Sequence, residues 1–224
     1  MTSTVTHWWW VRHAPVTVNE GRIYGRGDLP CDTDDTEIFD GLAKLLPEDA
    51  LLVTSDLMRT HQTADAIAAA GLTFPPRREE PDIAEQSFGD WQGQHYADVE
   101  KTDPHILHDY WLCPAHYRPP NGESFADLIA RVAPVIERVS DENPGRDIVA
   151  VAHGGTIRAA LAIALGLDPE RALSFSVENL SVTRIDRIET GSDAATPGLA
   201  RLSWRTVMVN RMPGLRRPGG RPIR

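Results

Sequence analysis

The sequence is poor in cysteine, and it lacks both a long apolar run and a basic leader. Two cysteines, Cys31 and Cys113, lie far apart without CxxC spacing, which is typical of free thiols in a reducing compartment. No apolar stretch reaches the roughly 18 residues of a membrane span. The N-terminus has no basic segment and no small-residue cleavage site after a long apolar stretch. These absences predict a cytoplasmic protein without a membrane partner.

Positive charge is also scarce outside the C-terminus. The net charge is −9, yet the last 14 residues hold five arginines and no acid, which leaves about −14 on residues 1–210. Such an acidic body argues against nucleic-acid binding. We predict one domain over 1–210, since no repeat or linker interrupts it. Residues 211–224 are rich in Pro, Gly and Arg and are predicted to be a disordered basic tail, with contact to RNA or acidic lipid as the alternative.

Short apolar runs alternate with amphipathic segments along the chain. The runs predict strands at 7–12, 50–55, 147–153, 175–186 and 200–210, with a turn between the last two. The amphipathic segments predict helices at 34–46, 56–71, 122–143 and 154–166, the third with a kink at Pro134. This alternation predicts an α/β fold, a three-layer α/β/α sandwich around a mostly parallel sheet.

Three consecutive tryptophans, Trp8 to Trp10, precede the first notable polar pair. Side chains alternate along a strand, so neighbouring tryptophans must face different helical layers. We therefore expect these rings to fill the core of a central strand, and an exposed binding patch is the less favoured alternative.

Polar side chains follow three of the predicted strands. Arg12 and His13 end the first strand, Ser55 ends the second with Arg59 one turn into the next helix, and His153 ends the third before a Gly-Gly pair. Ligands of open α/β sheets bind outside the carboxyl ends of the strands, where helix N-termini also present N–H groups. Each feature is weak alone, but together they predict an anion site suited to a phosphoryl group.

Five motifs in this order carry a family resemblance. "VRHAPVTVN", "TSDLMRTHQTA", "AEQSFGDWQG", "NGES" and "VAHGGTIRAAL" resemble the histidine phosphatase superfamily, which has the phosphoglycerate-mutase-like fold. The resemblance runs from Trp8 to Arg158 and continues loosely through residue 186. Within the family, the chain is most similar to members of the alpha-ribazole phosphatase type.

The resemblance implies a role for each matching residue. His13 matches the nucleophile that becomes phosphohistidine, and Glu85 matches the proton donor. The phosphate-binding positions are Arg12, Arg59, His153 and Asn19, and the substrate-binding positions are Tyr24, Gly25 and Gly154.

The chemistry of these residue types agrees with the implied roles. A histidine attacks phosphorus only through an unprotonated ring nitrogen, so its other nitrogen should donate to a backbone carbonyl. Arginine forks match phosphate oxygens and replace a metal's electrostatic role. We therefore expect no metal and no cofactor. The remaining histidines show no ligand spacing and are expected to be scattered surface residues: His7, His61, His95, His105, His108 and His116.

The sequence thus predicts a metal-independent phosphomonoester hydrolase acting on a small phosphorylated metabolite, with alpha-ribazole 5′-phosphate as a candidate. Mutases of this fold carry an insertion between the Glu and GES motifs, whereas only 37 residues separate Glu85 from Glu123 here. Phosphoglycerate-mutase-type transfer and a non-catalytic phosphate-binding scaffold are the alternatives. The partner is expected to be a small phosphate ester, and a homodimer is an open option. The natural substrate stays open.

Overall fold

A six-stranded sheet forms the centre of the computed structural model, which describes residues 3–103, 111–190 and 202–214. The strands are β1 (Ser3–Arg12), β2 (Leu51–Thr54), β3 (Arg78–Glu79), β4 (Asp147–Ala152), β5 (Val182–Thr190) and β6 (Leu202–Arg211). The helices are α1 (Thr36–Leu45), α2 (Met58–Ala69), α3 (Tyr96–Thr102), α4 (Phe125–Glu142), α5 (Gly154–Leu165) and α6 (Pro169–Ala172). Two 3₁₀ turns span Pro81–Ile83 and Gly89–Trp91.

The strand order is β3-β2-β4-β1-β5-β6. The pairs β3–β2, β2–β4 and β4–β1 are parallel. β5 pairs antiparallel with β1, and β6 pairs antiparallel with β5. Within the described part of the chain, β5 alone therefore runs against the other five strands. This confirms the predicted α/β fold with a mostly parallel sheet.

The three tryptophans of β1 divide between the two faces of this sheet, as predicted. Trp8 and Trp10 stack at 4.9 Å in the cluster that α4 and α5 cover. Trp9 belongs to the opposite cluster, which α1 and α2 cover. Because a buried indole N–H needs an acceptor, Trp8 donates to Ser140 and Trp9 to Asp147, at 2.9 and 2.8 Å. The core thus has two apolar layers with β1 between them.

Local sequence signals explain where the long helices begin and end. Ser124 and Asp127 form a reciprocal capping box at the start of α4, and α4 continues through Pro134 as one helix. Gly166 closes α5 in the left-handed region at φ 60°. In the part of the chain that the structure describes, no helix has both the length and the apolar character of a membrane span.

Both predicted ends of β5 differ from the structure, and β1 begins at Ser3 rather than at residue 7. β5 begins at Val182 rather than at 175 and continues to Thr190, inside the predicted turn. The preceding segment cannot extend β5, because Leu180 adopts φ 62° and its N–H donates to the carbonyl of Arg12. β3 and α3 were not predicted, and both are too short for a periodic signal to identify.

The C-terminal boundary also moves. β6 includes Arg211, and Pro213 is buried beside Gly41 of α1. The first residues of the predicted tail therefore pack on the domain. Residues 215–224 lie outside the described residues, so disorder there stays a prediction.

Candidate active site

The predicted polar residues meet at one edge of the sheet. β2, β4 and β1 are consecutive neighbours, so Ser55, His153 and His13 follow three adjacent strand ends. The rings of His13 and His153 lie 5.2 Å apart, centroid to centroid, and both are almost fully buried. The chain therefore builds one centre from segments that are about 40 and 100 residues apart in sequence.

His13 has a defined tautomer. Its Nδ1 lies 2.6 Å from the carbonyl oxygen of Ala14, and a carbonyl only accepts, so the proton is on Nδ1 and Nε2 carries the lone pair. The backbone of His13 is held by Ala152 and by the side chain of Asn179. Burial, followed by the charge of Arg59, holds the pKa of His13 well below 6.5. The ring is neutral at ordinary pH.

His153 has the opposite tautomer to His13. Its Nδ1 accepts from Nε of Arg59 at 3.3 Å, so Nε2 carries the proton and donates to the Ser55 hydroxyl at 2.9 Å. The same hydroxyl accepts the N–H of Leu57 at 3.2 Å, which couples His153 to the turn before α2. Burial first, then the charge of Arg59, lowers the pKa of His153. Both ring nitrogens have protein partners, so a direct phosphate contact requires His153 to exchange one.

Arg59 holds the loop at residues 24–27, which follows the motif "VRHAPVTVN". Its two terminal nitrogens donate to the carbonyls of Gly27 and Gly25, each at 2.7 Å. The guanidinium also lies 5.2 Å from the centre of the Tyr24 ring. Gly25 has φ 43°, and a Cβ there would come within 2.6 Å of Gln92, so the loop fits only with glycine at this position.

Arg12 is only half buried and retains free hydrogen-bonding capacity. One terminal nitrogen donates to the Val177 carbonyl at 2.5 Å. Its buried Nε has no hydrogen-bond partner among the described residues. Gly154, the first residue of α5, leaves room beside this nitrogen, since a Cβ there would lie 3.6 Å from it. An unpaired guanidinium N–H beside a helix N-terminus suits an anion.

Glu85 lies at the same helix N-terminus. Its Oε1 accepts the N–H of Gly155 at 3.1 Å and that of Gln86 at 3.0 Å. The side chain is buried, and a Cβ on Gly155 would come within 2.4 Å of Oε1. The second glycine of the Gly-Gly pair is therefore needed for Glu85 to occupy this position.

Comparisons with known proteins identify the family. The family model of the histidine phosphatase superfamily (branch 1) matches residues 8–197. The chain belongs to the histidine phosphatase superfamily. Glucosyl-3-phosphoglycerate phosphatase of Mycobacterium tuberculosis is 34% identical over 169 residues, covering 69% of this chain and 73% of that protein. Adenosylcobalamin/alpha-ribazole phosphatase of Escherichia coli is 27% identical over 181 residues, covering 80% and 88%.

Two further matches concern length and fold. A bifunctional protein of M. tuberculosis is 31% identical over 159 residues, but the match covers only 43% of that protein against 69% of this chain. A solved structure, mycobacterial hydrolase 2, superimposes with a TM-score of 0.77 at 26% identity, covering 95% of this chain and 94% of that one. The predicted family and fold are confirmed, and the comparisons support a phosphatase enzyme.

A cavity of about 280 Å³ opens beside Arg12 and Glu85. Five predicted site residues line it: Arg12, Asn19, Tyr24, Gly25 and Glu85. Asn19 donates to the carbonyl of Arg22 at 3.0 Å, which shapes the loop at the cavity rim. His13, Arg59 and His153 are more deeply buried and are not part of the lining.

Sequence reasoning missed several residues around this cavity. Arg22, Phe88, Tyr96 and Trp111 also line it, and Arg158 stacks over Trp111 with its guanidinium carbon 4.6 Å from the ring centre. Burial lowers the pKa of Arg158 to about 10. Its position in "VAHGGTIRAAL", one helical turn after the Gly-Gly pair, was the available signal.

No group of three or more His, Cys, Asp or Glu side chains close enough to hold a metal ion occurs within residues 3–103, 111–190 and 202–214. Of the six other histidines, His105 and His108 lie outside the described residues. Nδ1 of His7 lies 2.9 Å from the buried carboxylate of Asp186, and Nε2 of His61 lies 3.1 Å from the carboxylate of Glu79. These two histidines therefore contact carboxylates of the fold.

Proposed function

We propose that this histidine phosphatase hydrolyses a phosphomonoester through a phosphohistidine at His13, without a metal ion. The observation that carries the proposal is the 2.6 Å contact between Nδ1 of His13 and the Ala14 carbonyl. It leaves Nε2 unprotonated, and only an unprotonated nitrogen can attack phosphorus. The depressed pKa of His13, caused mainly by burial, keeps that nitrogen available at mildly acid pH.

The reaction has two steps. In the first, Nε2 of His13 attacks phosphorus, the ester P–O bond breaks, and the leaving oxygen takes a proton from Glu85. In the second, the Glu85 carboxylate takes a proton from water, the water oxygen attacks phosphorus, and the P–N bond breaks to release phosphate. The position of Glu85 in the cavity lining, together with Arg12, supports this exchange with the leaving group.

Cationic and N–H groups stabilise the transferred phosphoryl group. Arg12 has an unpaired buried Nε, and Arg59 has terminal N–H groups beyond those used for the loop carbonyls. The N-terminus of α5 adds a positive dipole end. Phosphoryl transfer depends mainly on such positioning and charge, so a metal ion is not needed.

The substrate is proposed to be a small phosphorylated metabolite, and alpha-ribazole 5′-phosphate stays a candidate. The named relatives support a phosphatase, and their names give two different substrates. Mutase-type transfer is the less favoured alternative because of the short segment between Glu85 and Glu123. A non-catalytic scaffold is disfavoured because Arg12, His13 and Glu85 are all present. Cytoplasmic location, absence of nucleic-acid binding and a homodimer stay predictions.

Rapid-quench trapping tests the proposal. Wild-type protein and His13→Ala would be mixed with ³²P-labelled substrate in excess chelator, and the label on protein would be tested for acid lability and base stability. We expect acid-labile label on the wild type and none on His13→Ala. Label on the variant would contradict the assignment, and activity that depends strictly on added metal would contradict the mechanism. A panel of phosphorylated metabolites that includes alpha-ribazole 5′-phosphate would then rank substrates by kcat/KM.

A further inference from the structure

We propose that the cavity beside Glu85 binds the leaving alcohol and selects one that carries an uncharged, flat aromatic ring. This inference rests on the proposed function, because the phosphoryl group must sit at Arg12 and His13 for the alcohol to enter the cavity. The part concerned, here named the leaving-group pocket, is lined by Ile23, Phe88, Tyr96, Trp111 and Leu112.

The size of the cavity favours a small ligand. Its volume of about 280 Å³ is at the lower end of the range for ligand pockets, about 300–1,000 Å³. Arg12 and Glu85 occupy one end, where the ester bond must lie. The rest has room for a single ring system on a short stem.

The aromatic wall of the pocket is held in place before any ligand binds. Trp111 donates its indole N–H to Gln86 at 2.8 Å, and Arg158 covers part of its ring. Arg158 is itself fixed by donation to the Phe175 carbonyl at 2.8 Å. Phe88 is tilted by 45° against Trp111 at 6.2 Å between centroids. A ring that enters the pocket therefore meets a prearranged surface and binds without first ordering it.

A second part of the lining, around Ile23, is fixed by backbone pairing. The N–H of Ile23 donates to Gln94 at 3.0 Å, and the N–H of Gly93 donates back to Ile23 at 2.8 Å. This pairing connects the loop to the segment that begins α3, from which Tyr96 lines the pocket with 38% of its surface exposed. These parts of the lining thus have fixed positions, and because aromatic side chains stack on flat rings, we expect the pocket to prefer a flat ring to a thicker one of equal apolar area.

The charges around the pocket favour an uncharged ring. Apart from Arg12 and Glu85, which serve the reaction, Arg22 is the charged residue among the described lining residues. Arg22 is exposed and donates to the Gly93 carbonyl at 2.8 Å, so solvent screens its attraction for an anion. The positive charge of Arg158 is already directed at Trp111 and Phe175.

Two matched esters test the inference. 2-Phenylethyl phosphate and 2-cyclohexylethyl phosphate release similar primary alkoxides and bury similar apolar area, but only the first carries a flat ring. We expect wild-type kcat/KM to be at least about tenfold higher for the phenyl ester, mainly through KM. Trp111→Leu should bring the ratio of the two kcat/KM values close to one, whatever its effect on the absolute rates.

Control variants separate the pocket from the fold. Trp204→Leu makes the same change on β6, away from the cavity, and should retain the preference. If Trp111→Leu does not fold, Tyr96→Leu gives the second test, because its exposed side chain can be changed without opening the core, and it should reduce the preference at least threefold.

Several outcomes would overturn the inference. Equal kcat/KM for the two esters in the wild type, or a preference that survives in both variants, would contradict ring selection. Faster hydrolysis of 2-(4-carboxyphenyl)ethyl phosphate that is lost in Arg22→Gln would assign the pocket to an anionic alcohol. Higher kcat/KM for glucose 6-phosphate than for the phenyl ester would assign it to a sugar. In these cases ethyl phosphate is still hydrolysed through His13, whereas failure of the proposed function would abolish phosphoenzyme formation with every ester.

Discussion

The carboxylate of Glu85 accepts a hydrogen bond from the backbone N–H of Gly155, with Oε1 3.1 Å from that nitrogen. A methyl group on Gly155 would lie only 2.4 Å from the same oxygen. Glu85 and the N-terminus of α5 are therefore mutually fitted, and the side chain at position 155 must be absent for the carboxylate to occupy its place. The preceding glycine, Gly154, has no such contact with Glu85.

The first prediction follows from this fit. Gly155→Ala should push the Glu85 carboxylate away from the leaving oxygen, and a displacement near 1 Å can cost about 10²-fold in rate. We expect kcat on an alkyl phosphate to fall by about that factor. 4-Nitrophenyl phosphate is the control substrate, because a nitrophenolate needs little protonation and its phosphorylation step should be affected much less. Steady-state kinetics of wild type and variant on both esters, with circular dichroism to confirm folding, make the comparison. Unchanged activity in Gly155→Ala would contradict the role of this contact.

The second prediction concerns stability as a function of pH. An unfolded chain takes up protons on its histidines as pH falls through about 6.5, whereas His13 and His153 resist protonation in the folded state because burial lowers their pKa values. The unfolded state then binds more protons, so the free energy of unfolding should decrease as pH falls below 6.5. Each histidine contributes a slope of up to about 1.4 kcal/mol per pH unit.

Replacement of one histidine isolates this effect. Between pH 5.5 and 6.5, His13→Asn should reduce the slope of unfolding free energy against pH by about 1 kcal/mol per pH unit, as measured by urea titration. His153→Asn should reduce the slope in the same way, because burial also lowers the pKa of His153. Parallel slopes for wild type and His13→Asn would show that His13 titrates equally in both states.

The third prediction concerns the loop that Arg59 holds. Lysine cannot donate to the carbonyls of Gly25 and Gly27 while also reaching His153 in the planar geometry of a guanidinium. We expect Arg59→Lys to increase amide hydrogen exchange in residues 23–28 and to slow hydrolysis of all esters at least about tenfold. Arg22→Lys is the control at the neighbouring rim and should affect both much less. Unaltered exchange in Arg59→Lys would mean that the loop holds its conformation without these bonds.

The grouping of the candidate site residues at one edge of the sheet could be predicted because several of them come directly after strands. His13, Ser55 and His153 each follow an apolar run, and parallel strands place such residues at one edge. The sequence did not show that β2, β4 and β1 are adjacent, since strand order depends on packing between distant segments. Nor did it show that the Ser55 hydroxyl accepts a hydrogen bond from His153, because this bond joins residues 98 positions apart.

The leaving-group pocket was not predictable in the same way. Glu85 follows no periodic element and was identified only through the family resemblance. Trp111 and Arg158 meet through a side-chain stack that joins an irregular segment to α5, and neither residue type marks a site alone. α3, which carries Tyr96, has seven residues and is too short for its periodicity to identify. Contacts of this kind are set by tertiary packing, which residue spacing does not encode.

The last prediction separates chemistry from binding at Glu85. If Glu85 only holds substrate, Glu85→Gln should raise KM and leave kcat nearly unchanged. If Glu85 donates the proton, the loss should fall on kcat, by about 10²–10⁴-fold for a poor leaving group. Glutamine can still accept the N–H of Gly155, so the geometry around α5 is preserved.

A nitrophenolate needs little protonation, so Glu85→Gln should retain much of its phosphorylation rate on 4-nitrophenyl phosphate but nearly stop on 2-phenylethyl phosphate. Arg59→Ala is the contrasting variant and should slow phosphorylation by both esters, because Arg59 stabilises the transferred group and not the leaving oxygen. Single-turnover phosphorylation of both variants on both esters keeps the later dephosphorylation from masking the step. Equal losses on the two esters for Glu85→Gln would remove this residue from the proton-donor role.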